Sequence, residues 1–581
     1  MRTLASLTFV LAVAAACGVS SSSNGGSPDP NAGGASDAGA GGVSFGGAQD
    51  FGDFKEILVN GGIPGPDTLD ANGFFNEHYA APPQTGCTDT LCLTPGLSVG
   101  RDWVTNLHQA TLQVAINTNV DPTQYVRRPL DLAVVVDRSG SMSADGRIDK
   151  VKLGLGQMID GLQDGDRMAI VTFSDTATVV APLAPLDRVA LHAKVAAIAP
   201  GGGTNIYDGL AGGFDLLAAP TVEREQRVIF LSDGQATVGD TAQDDIFALS
   251  DSYITSGIGL TTIGVGADFD LALMRGLAEH GAGNFYFLQD DAATTEVFTE
   301  ELNYFMSPIA LDVSIEATAG QSYAFGEVLG STLWTSSPTH GSMHVPAVFV
   351  ASRTTATDPT GMGNRRGGGS MLFIALTTTG AVDANGTVGT VKLTYKVPGR
   401  AAPVTQTVTL AYPAADPNAT PDDPYLSAPE IAKRYAMYNM FRGLRAATQA
   451  TDVNCMSTIL YNVETSAKAW NATQEDTDII DDDSLIDIFL GNLRAIGASA
   501  DLASTSAACA GVAGQPIDGP DGGFDTYGAE SPQYGCYDAG GGSATMLLGV
   551  GLAALVAARR RGGRCHTWQP HPPKTVVVLR A

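Results

Sequence analysis

The feature that most constrains the fold is a run of five apolar residues at positions 132–136, followed directly by Asp137. A strand in which every position is apolar has both faces covered, as in the interior of a parallel sheet. Residues 148–162 then have apolar side chains at helical spacing, and residues 168–173 form a second apolar run. This order of strand, helix and strand predicts the start of an α/β domain.

Strands and helices continue to alternate as far as residue 306. Further strands are predicted at residues 178–180, 228–231, 260–265 and 284–288, the last as an edge strand. Further helices are predicted at residues 189–198, 206–217, 245–254, 271–279 and 294–305. We therefore expect residues 128–306 to form one domain of the α/β class, with a mostly parallel, Rossmann-like sheet covered by helices on both faces.

Other patterns flank this domain. Alternation of apolar and polar residues over residues 307–413 predicts an antiparallel β-sandwich. Helical spacing over residues 425–500 predicts a small helical subdomain. Residues 51–127 are expected to form an N-terminal accessory region, with a strand at residues 112–116.

The N-terminus has the features of a targeting segment. Residues 1–17 contain one early arginine, an apolar stretch and small residues before Cys17, which is typical of a secretory signal peptide. The residues around Cys17 also resemble a bacterial lipobox, in which the cysteine is lipidated, and an ordinary signal peptide is the alternative. Residues 18–50 are rich in Gly, Ser, Ala, Asn and Asp, so we predict a flexible linker there.

The C-terminus has a similar organisation. Residues 511–543 are predicted to be a second linker, and residues 544–561 a hydrophobic anchor that ends in three arginines, followed by a tail at residues 562–581. Together with Cys536, this segment resembles the MYXO-CTERM sorting tail of myxobacterial surface proteins, in which the cysteine is the attachment point. A plain membrane anchor is the alternative. Both ends predict an exported protein held at the outer membrane or cell surface by lipid, by the C-terminal anchor, or by both.

Four more cysteines lie between these end segments, at Cys87, Cys92, Cys455 and Cys509. An even number in an exported chain indicates two disulfides, although spacing does not fix their connectivity. Cys87 and Cys92 would close a short loop, and Cys455 and Cys509 would pair across a helical segment. A zinc site at the first two is the rival interpretation, but no second cysteine pair or histidine couple lies nearby in the sequence.

Three loops at the carboxyl ends of predicted strands carry aspartate and hydroxyl side chains. Asp137, Ser139 and Ser141 follow the first strand, Thr204 precedes a helix, and Asp233 follows a later strand. Ligands of open α/β sheets bind at this edge, so we expect these residues to converge. Two carboxylates and three hydroxyls without His or Cys suit a hard cation, Mg²⁺ first, with Mn²⁺ and Ca²⁺ as alternatives.

This pattern resembles the metal-ion-dependent adhesion site of von Willebrand factor A-type (VWA) domains, whose motif is Asp-x-Ser-x-Ser followed by a distant Thr and a distant Asp. The resemblance implies that Ser139, Ser141 and Thr204 contact the metal through their hydroxyls. It also implies that Asp137 and Asp233 bind directly or through water, and that a partner's acidic side chain completes the coordination. Residues 55–495 more loosely resemble bacterial surface VWA lipoproteins.

The charge balance restricts the partners. The chain has 61 acidic and 33 basic residues, a net charge of −28, which argues against nucleic-acid binding. The resemblance to VWA domains implies metal-dependent binding of a protein ligand at the cell surface, without enzymatic activity, and this is the favoured function. One alternative is a metal-dependent hydrolase. The three loops contain no histidine that could act as its general base, which argues against this alternative. The other is a structural envelope protein whose VWA domain only packs.

A second group of carboxylates occurs in the predicted helical subdomain, at Asp476, Asp478 and residues 481–483. Calcium binding is one interpretation, but an EF-hand would need a glycine at its sixth position, which is missing. We therefore expect a solvated helix start, where carboxylates are favourable near the helix N-terminus.

Overall fold

The computed structural model describes residues 41–49, 51–78, 87–120, 127–218, 223–254, 256–266, 269–288, 291–300, 308–351, 369–380, 386–400, 402–412, 425–499 and 509. The predicted signal peptide with Cys17, the second linker, Cys536 and the C-terminal anchor lie outside these residues. Within the described ranges, no helix combines the length and the apolar character needed to cross a membrane.

In the α/β domain, the secondary structure follows the predicted order of strands and helices. The strands are β1 (Gly41–Ser44), β2 (Gly47–Ala48), β3 (Cys92–Arg101), β4 (His108–Thr118), β5 (Leu130–Asp137), β6 (Arg167–Phe173), β7 (Ala177–Pro185), β8 (Glu225–Ser232), β9 (Ile258–Val265), β10 (Asn284–Leu288), β11 (Ala310–Ala319), β12 (Tyr323–Leu329), β13 (Thr335–Ser336), β14 (His340–Ala351), β15 (Met371–Thr378), β16 (Thr387–Lys396), β17 (Val404–Ala411) and β18 (Tyr425–Leu426). The helices are α1 (Gly52–Val59), α2 (Ala71–Glu77), α3 (Arg147–Gly161), α4 (Arg188–Ala196), α5 (Ile206–Asp215), α6 (Gln243–Ile254), α7 (Leu271–His280), α8 (Asp291–Thr295), α9 (Ile431–Gln449), α10 (Val453–Gln474) and α11 (Thr477–Ala495).

The α/β domain is built on a sheet with the strand order β2-β10-β9-β8-β5-β6-β7. Neighbouring strands are parallel except β6 and β7, which are antiparallel. The predicted β5 is buried on both faces: Leu132 and Val134 pack in a core with α3 and α4, while Ala133 and Val135 pack in another with α5, α6 and α7. The predicted Rossmann-like architecture is thus confirmed, because the fully apolar strand requires cover on both sides.

The first linker was predicted to reach residue 50, and this is wrong for residues 41–48. Val43 and Phe45 are buried in the core of the β-sheet domain, and β2 pairs in parallel with β10. The edge of the α/β sheet is therefore β2 rather than the predicted β10. Two large apolar residues among glycines are too few to alter the composition of the segment, although they suffice to fix a strand by packing.

The predicted sandwich is an antiparallel sheet of eleven described strands, folded over a shared core. Strand β14 links its halves, because residues 340–348 pair with β11 and residues 349–351 pair with β1. Strands β3 and β4 pair with each other, and β4 also pairs with β15. The predicted accessory region at residues 51–127 is therefore wrong for β3 and β4. These strands belong to the β-sheet domain, and their apolar faces complete its core.

The helical subdomain also takes part of the predicted accessory region. Helices α1 and α2 share one core with α9, α10 and α11. Lys433 Nζ lies 2.9 Å from Asp476 and 2.6 Å from Asp478, while His78 Nε2 lies 2.6 Å from Asp482. These three carboxylates are buried, so the predicted solvated helix start is wrong for them. Buried carboxylates of this kind require ion-pair or hydrogen-bond partners, and these partners come from segments distant in sequence.

Two disulfides lie outside the α/β domain. Cys87 pairs with Cys92, the first residue of β3, with the two Cα atoms 5.6 Å apart. Cys455, on α10, pairs with Cys509, with a Cα separation of 4.8 Å. Each disulfide therefore joins two cysteines that are consecutive in the chain among these four.

The α/β domain contacts the β-sheet domain at the end opposite the carboxyl ends of its strands. Glu279, near the C-terminus of α7, accepts hydrogen bonds from Ser331 Oγ and from the backbone nitrogen and hydroxyl of Thr332. Arg227, near the start of β8, lies over the ring of Phe349 at 4.8 Å. Because these contacts lie at the far end, they leave the loops that follow β5 and β8 on a separate edge of the domain.

Candidate metal centre

The loops that carry the predicted site residues are bonded to one another through their backbones. Gly140 N donates to Gly202 O at 3.0 Å, and Gly201 N donates to Arg138 O at 2.7 Å. Thr237 N donates to Thr204 O at 2.9 Å, which connects the loop after β8 to the loop before α5. The structure thus brings together all three segments that the sequence placed at this edge.

Two hydroxyls and one carboxylate form the centre of the site. Ser139 Oγ and Ser141 Oγ are 2.9 Å apart, and Ser141 Oγ donates to Asp233 Oδ1 at 2.8 Å. Ser139 Oγ lies 3.5 Å from the same carboxylate oxygen. Octahedral Mg²⁺ with ligands at about 2.1 Å requires neighbouring oxygens roughly 3 Å apart. The three observed separations are close to this spacing, so the donor set fits such an ion.

Thr204 borders the same space. Its side chain is buried, and its backbone nitrogen donates to Thr237 Oγ1 at 3.0 Å. A Cβ atom at Gly234 would lie 3.5 Å from Thr204 Oγ1 and 3.7 Å from Ser141 Oγ. The two hydroxyls therefore face one position beside Gly234, which places Thr204 with the serines.

Asp137 has a different role from Asp233, because protein donors engage both of its oxygens. Oδ1 accepts from Ser139 N at 2.7 Å, and Oδ2 accepts from Ser232 Oγ at 2.6 Å. Burial raises the pKa of Asp137 to about 6, and the nearby charge of Asp233 also raises it, while the Ser232 and Ser139 hydrogen bonds oppose the shift. Asp137 thereby holds the serine-bearing loop against β8. Ser232 did not figure in the sequence prediction.

Arg147 is the functional residue that the sequence analysis missed. Its Nη1 donates to Asp233 Oδ2 at 2.9 Å, and its side chain is only 7% exposed. Gly146, with φ of +66°, and Asp145 precede it in the left-handed region, which turns the chain into α3. A cation in the first turn of a helix opposes the helix dipole. An arginine in the first turn of the helix therefore indicates, from the sequence alone, that Arg147 has a carboxylate partner.

The described residues also contain an acidic cluster away from this edge, formed by Glu464, Asp483 and Asp487. Lys468 contacts Glu464 and lies 3.3 Å from Asp483, so part of the negative charge is already neutralised. In the sequence, Asp483 groups with Asp476, Asp478, Asp481 and Asp482, and this cluster is not predicted by that spacing.

Comparison with known proteins identifies the α/β domain. Residues 131–300 match the family model of the von Willebrand factor type A domain. The chain contains a VWA domain. Members of this family commonly bind a divalent metal and often mediate metal-dependent protein interactions.

Two relatives each match about a third of the chain. An uncharacterized protein, YfbK of Escherichia coli, is 24% identical over 189 residues, which are 32% of this chain and 33% of that protein. Human inter-alpha-trypsin inhibitor heavy chain H4 is 26% identical over 206 residues, 34% of this chain and 22% of that protein. The chain thus spans about a third or less of these two relatives.

A solved structure covers more of the chain. The von Willebrand factor type A protein from Catenulispora acidiphila is 17% identical, with a TM-score of 0.45, over 68% of this chain and 89% of that one.

Proposed function

We propose that this protein binds a protein ligand at the cell surface through a divalent cation held by its VWA domain. Mg²⁺ is the favoured cation. One observation carries the proposal: Ser139, Ser141 and Asp233 present three oxygens 2.8–3.5 Å apart at the carboxyl edge of the sheet. This is an oxygen-only donor set, with Thr204 beside it, which suits a hard cation.

The residues of this chain divide the work. Ser139, Ser141, Thr204 and Asp233 would hold the cation, while Asp137 fixes the loop through Ser139 N and Ser232 Oγ. A bound cation supplies positive charge that attracts an acidic side chain of a partner. Arg147 neutralises part of the charge of Asp233, so fewer negative charges compete with that partner carboxylate.

Export and anchoring belong to the same proposal. The signal-like segment before Cys17, the segment resembling a sorting tail after Cys536 and the two disulfides support an extracellular location. The Gly-rich sequences before residue 41 and at residues 511–543 would tether the protein to a membrane at whichever end is attached.

Chelator-sensitive capture tests the function. Immobilised full-length protein would be exposed to cell-surface extract from the native host in Mg²⁺ and in EDTA. A ligand retained in Mg²⁺ should be released by EDTA and should not bind Ser141→Ala. Ser143→Ala is the matched control, because this exposed serine of the same loop donates to Gly140 O at 2.8 Å rather than to the site.

The alternative functions give different results. Turnover of a hydrolysable substrate that is lost in Ser141→Ala would support the hydrolase. Retention of the same proteins in Mg²⁺, in EDTA and by Ser141→Ala would contradict the proposal and support a domain that only packs.

A further inference from the structure

The charged side chains of the VWA domain are sorted between the two ends of its strands. At the amino ends, five arginines contact carboxylates. The pairs are Arg127 with Asp166, Arg128 with Glu225, Arg167 and Arg224 with Asp131, and Arg188 with Asp164. Much of the negative charge at this end is therefore paired with arginine, although the exposed Asp160, Asp215 and Asp251 also lie there.

The carboxyl ends, where the metal centre lies, have many exposed acidic side chains and few basic ones. Seven exposed aspartates occupy the loops and first helical turns that leave this edge: Asp145, Asp149, Asp175, Asp240, Asp244, Asp245 and Asp291. Among the described residues of the same segments, the basic side chains are Arg138 and Lys150, which are half-buried, and the buried Arg147. We call the seven aspartates the acidic rim.

Two members of the acidic rim adjoin the metal centre directly. Asp145 lies 3.8 Å from Arg147, the residue that bonds Asp233. Asp175 Oδ1 accepts a hydrogen bond at 3.0 Å from Gly203 N, next to Thr204. The rim is thus part of the surface that a partner docked at the metal must cover.

This arrangement limits the partner that the metal centre can accept. A cation at the centre attracts one carboxylate, but the rim repels further negative charge, and screening over about 8 Å at physiological ionic strength does not remove interactions between docked surfaces. Complementary charge around a contact also speeds association and rejects mismatched partners. We infer that the ligand presents a single carboxylate within a lysine- and arginine-rich surface. This inference rests on the proposed function and adds the charge of the ligand to it.

Short peptides of defined charge test the inference with the full-length protein. Three capped peptides of equal length would each contain one central glutamate, flanked by lysines, by serines and glycines, or by aspartates. A fourth would carry glutamine in place of glutamate within the lysine-flanked peptide. Binding would be measured by fluorescence anisotropy in Mg²⁺ and in EDTA, at low and high NaCl.

The lysine-flanked glutamate peptide should bind at least about tenfold more tightly in Mg²⁺ than the neutral peptide, and high salt should reduce this preference. Its glutamine version and the aspartate-flanked peptide should bind more weakly. The double variant Asp244→Asn/Asp245→Asn, at the start of α6, should lose about threefold in affinity for the lysine-flanked peptide. The matched control Asp160→Asn/Asp164→Asn removes two exposed charges at the other end of the domain and should bind this peptide with unchanged affinity.

Each contrary result has a distinct meaning. Equal, Mg²⁺-dependent binding of all three glutamate peptides would overturn the basic-partner inference and leave the proposed function intact. Binding of the lysine-flanked peptide that persists in EDTA and with glutamine would overturn both, because the metal would then take no part. Failure of every peptide to bind at millimolar concentration would overturn the inference, and calorimetry with Mg²⁺ alone would show separately whether the metal site survives.

Discussion

Replacing Arg147 by methionine should destabilise the metal-free VWA domain and tighten its hold on Mg²⁺. Arg147 Nη1 bonds Asp233 Oδ2 at 2.9 Å, and the carboxylate is completely buried. Removing one partner of a buried ion pair costs about 3–5 kcal/mol. We expect about 3 kcal/mol, because Ser141 still donates to the other oxygen of Asp233.

The same substitution removes a positive charge that competes with the cation. Unit charges about 4 Å apart interact by about 1 kcal/mol in water and about 4 kcal/mol at an effective dielectric constant of about 20. Mg²⁺ affinity should therefore rise at least about fivefold in Arg147→Met. The loss of stability seen in EDTA should shrink in millimolar Mg²⁺, since a ligand that binds only the folded state stabilises it.

Differential scanning calorimetry in EDTA and in Mg²⁺ measures the first effect, and isothermal titration of Mg²⁺ measures the second. Arg147→Lys retains the charge and should restore much of the stability. Arg138→Met is the matched control, because the guanidinium of this half-buried arginine contacts Gly201 O at 3.4 Å and pairs with no carboxylate among the described residues. If Arg147→Met melts like the wild type in EDTA and binds Mg²⁺ with unchanged affinity, the reasoning about charge balance is refuted.

Three further predictions concern other parts of the molecule. Thiol labelling of protein from its native host should find the cysteines of both disulfides unreactive until reduction; ready labelling without reductant would place the chain in a reducing compartment. Thr204→Ala should weaken Mg²⁺-dependent binding of the lysine-flanked glutamate peptide by about 1–3 kcal/mol without changing the fold; equal affinity in Mg²⁺ would exclude this hydroxyl from the site. Burial raises the pKa of Glu279, so its contribution is complete below its unfolded pKa and is lost as pH rises through its folded pKa. The melting temperature of wild type relative to Glu279→Gln should therefore be higher at about pH 4, below the unfolded pKa, than at about pH 7.5, and a pH-independent difference would contradict this assignment.

The α/β domain could be predicted because its signals are local and redundant. The apolar run at residues 132–136 sits within β5, and the helical spacing that follows corresponds to α3. The metal-site residues could be placed at one edge because parallel strands end together there. Each of these inferences needs only the order of residues within one or two adjacent elements.

The features that could not be predicted depend on contacts between distant segments. Strand β2 has two small residues and exists because it pairs with β10, more than two hundred residues later. The burial of Asp482 depends on His78, which is 404 residues away. The position of Arg147 in the first turn of a helix is unfavourable for a cation, which can be seen from the sequence. Its partner, Asp233, is identified only by the fold.

Anomalous diffraction from crystals of the full-length protein soaked in Mn²⁺ tests the central claim most directly. We expect a single strong manganese peak within coordination distance of Ser139 Oγ, Ser141 Oγ and Asp233 Oδ1. Absence of a peak there, or a dominant peak at Glu464, Asp483 and Asp487, would contradict the assignment of the metal to the VWA domain.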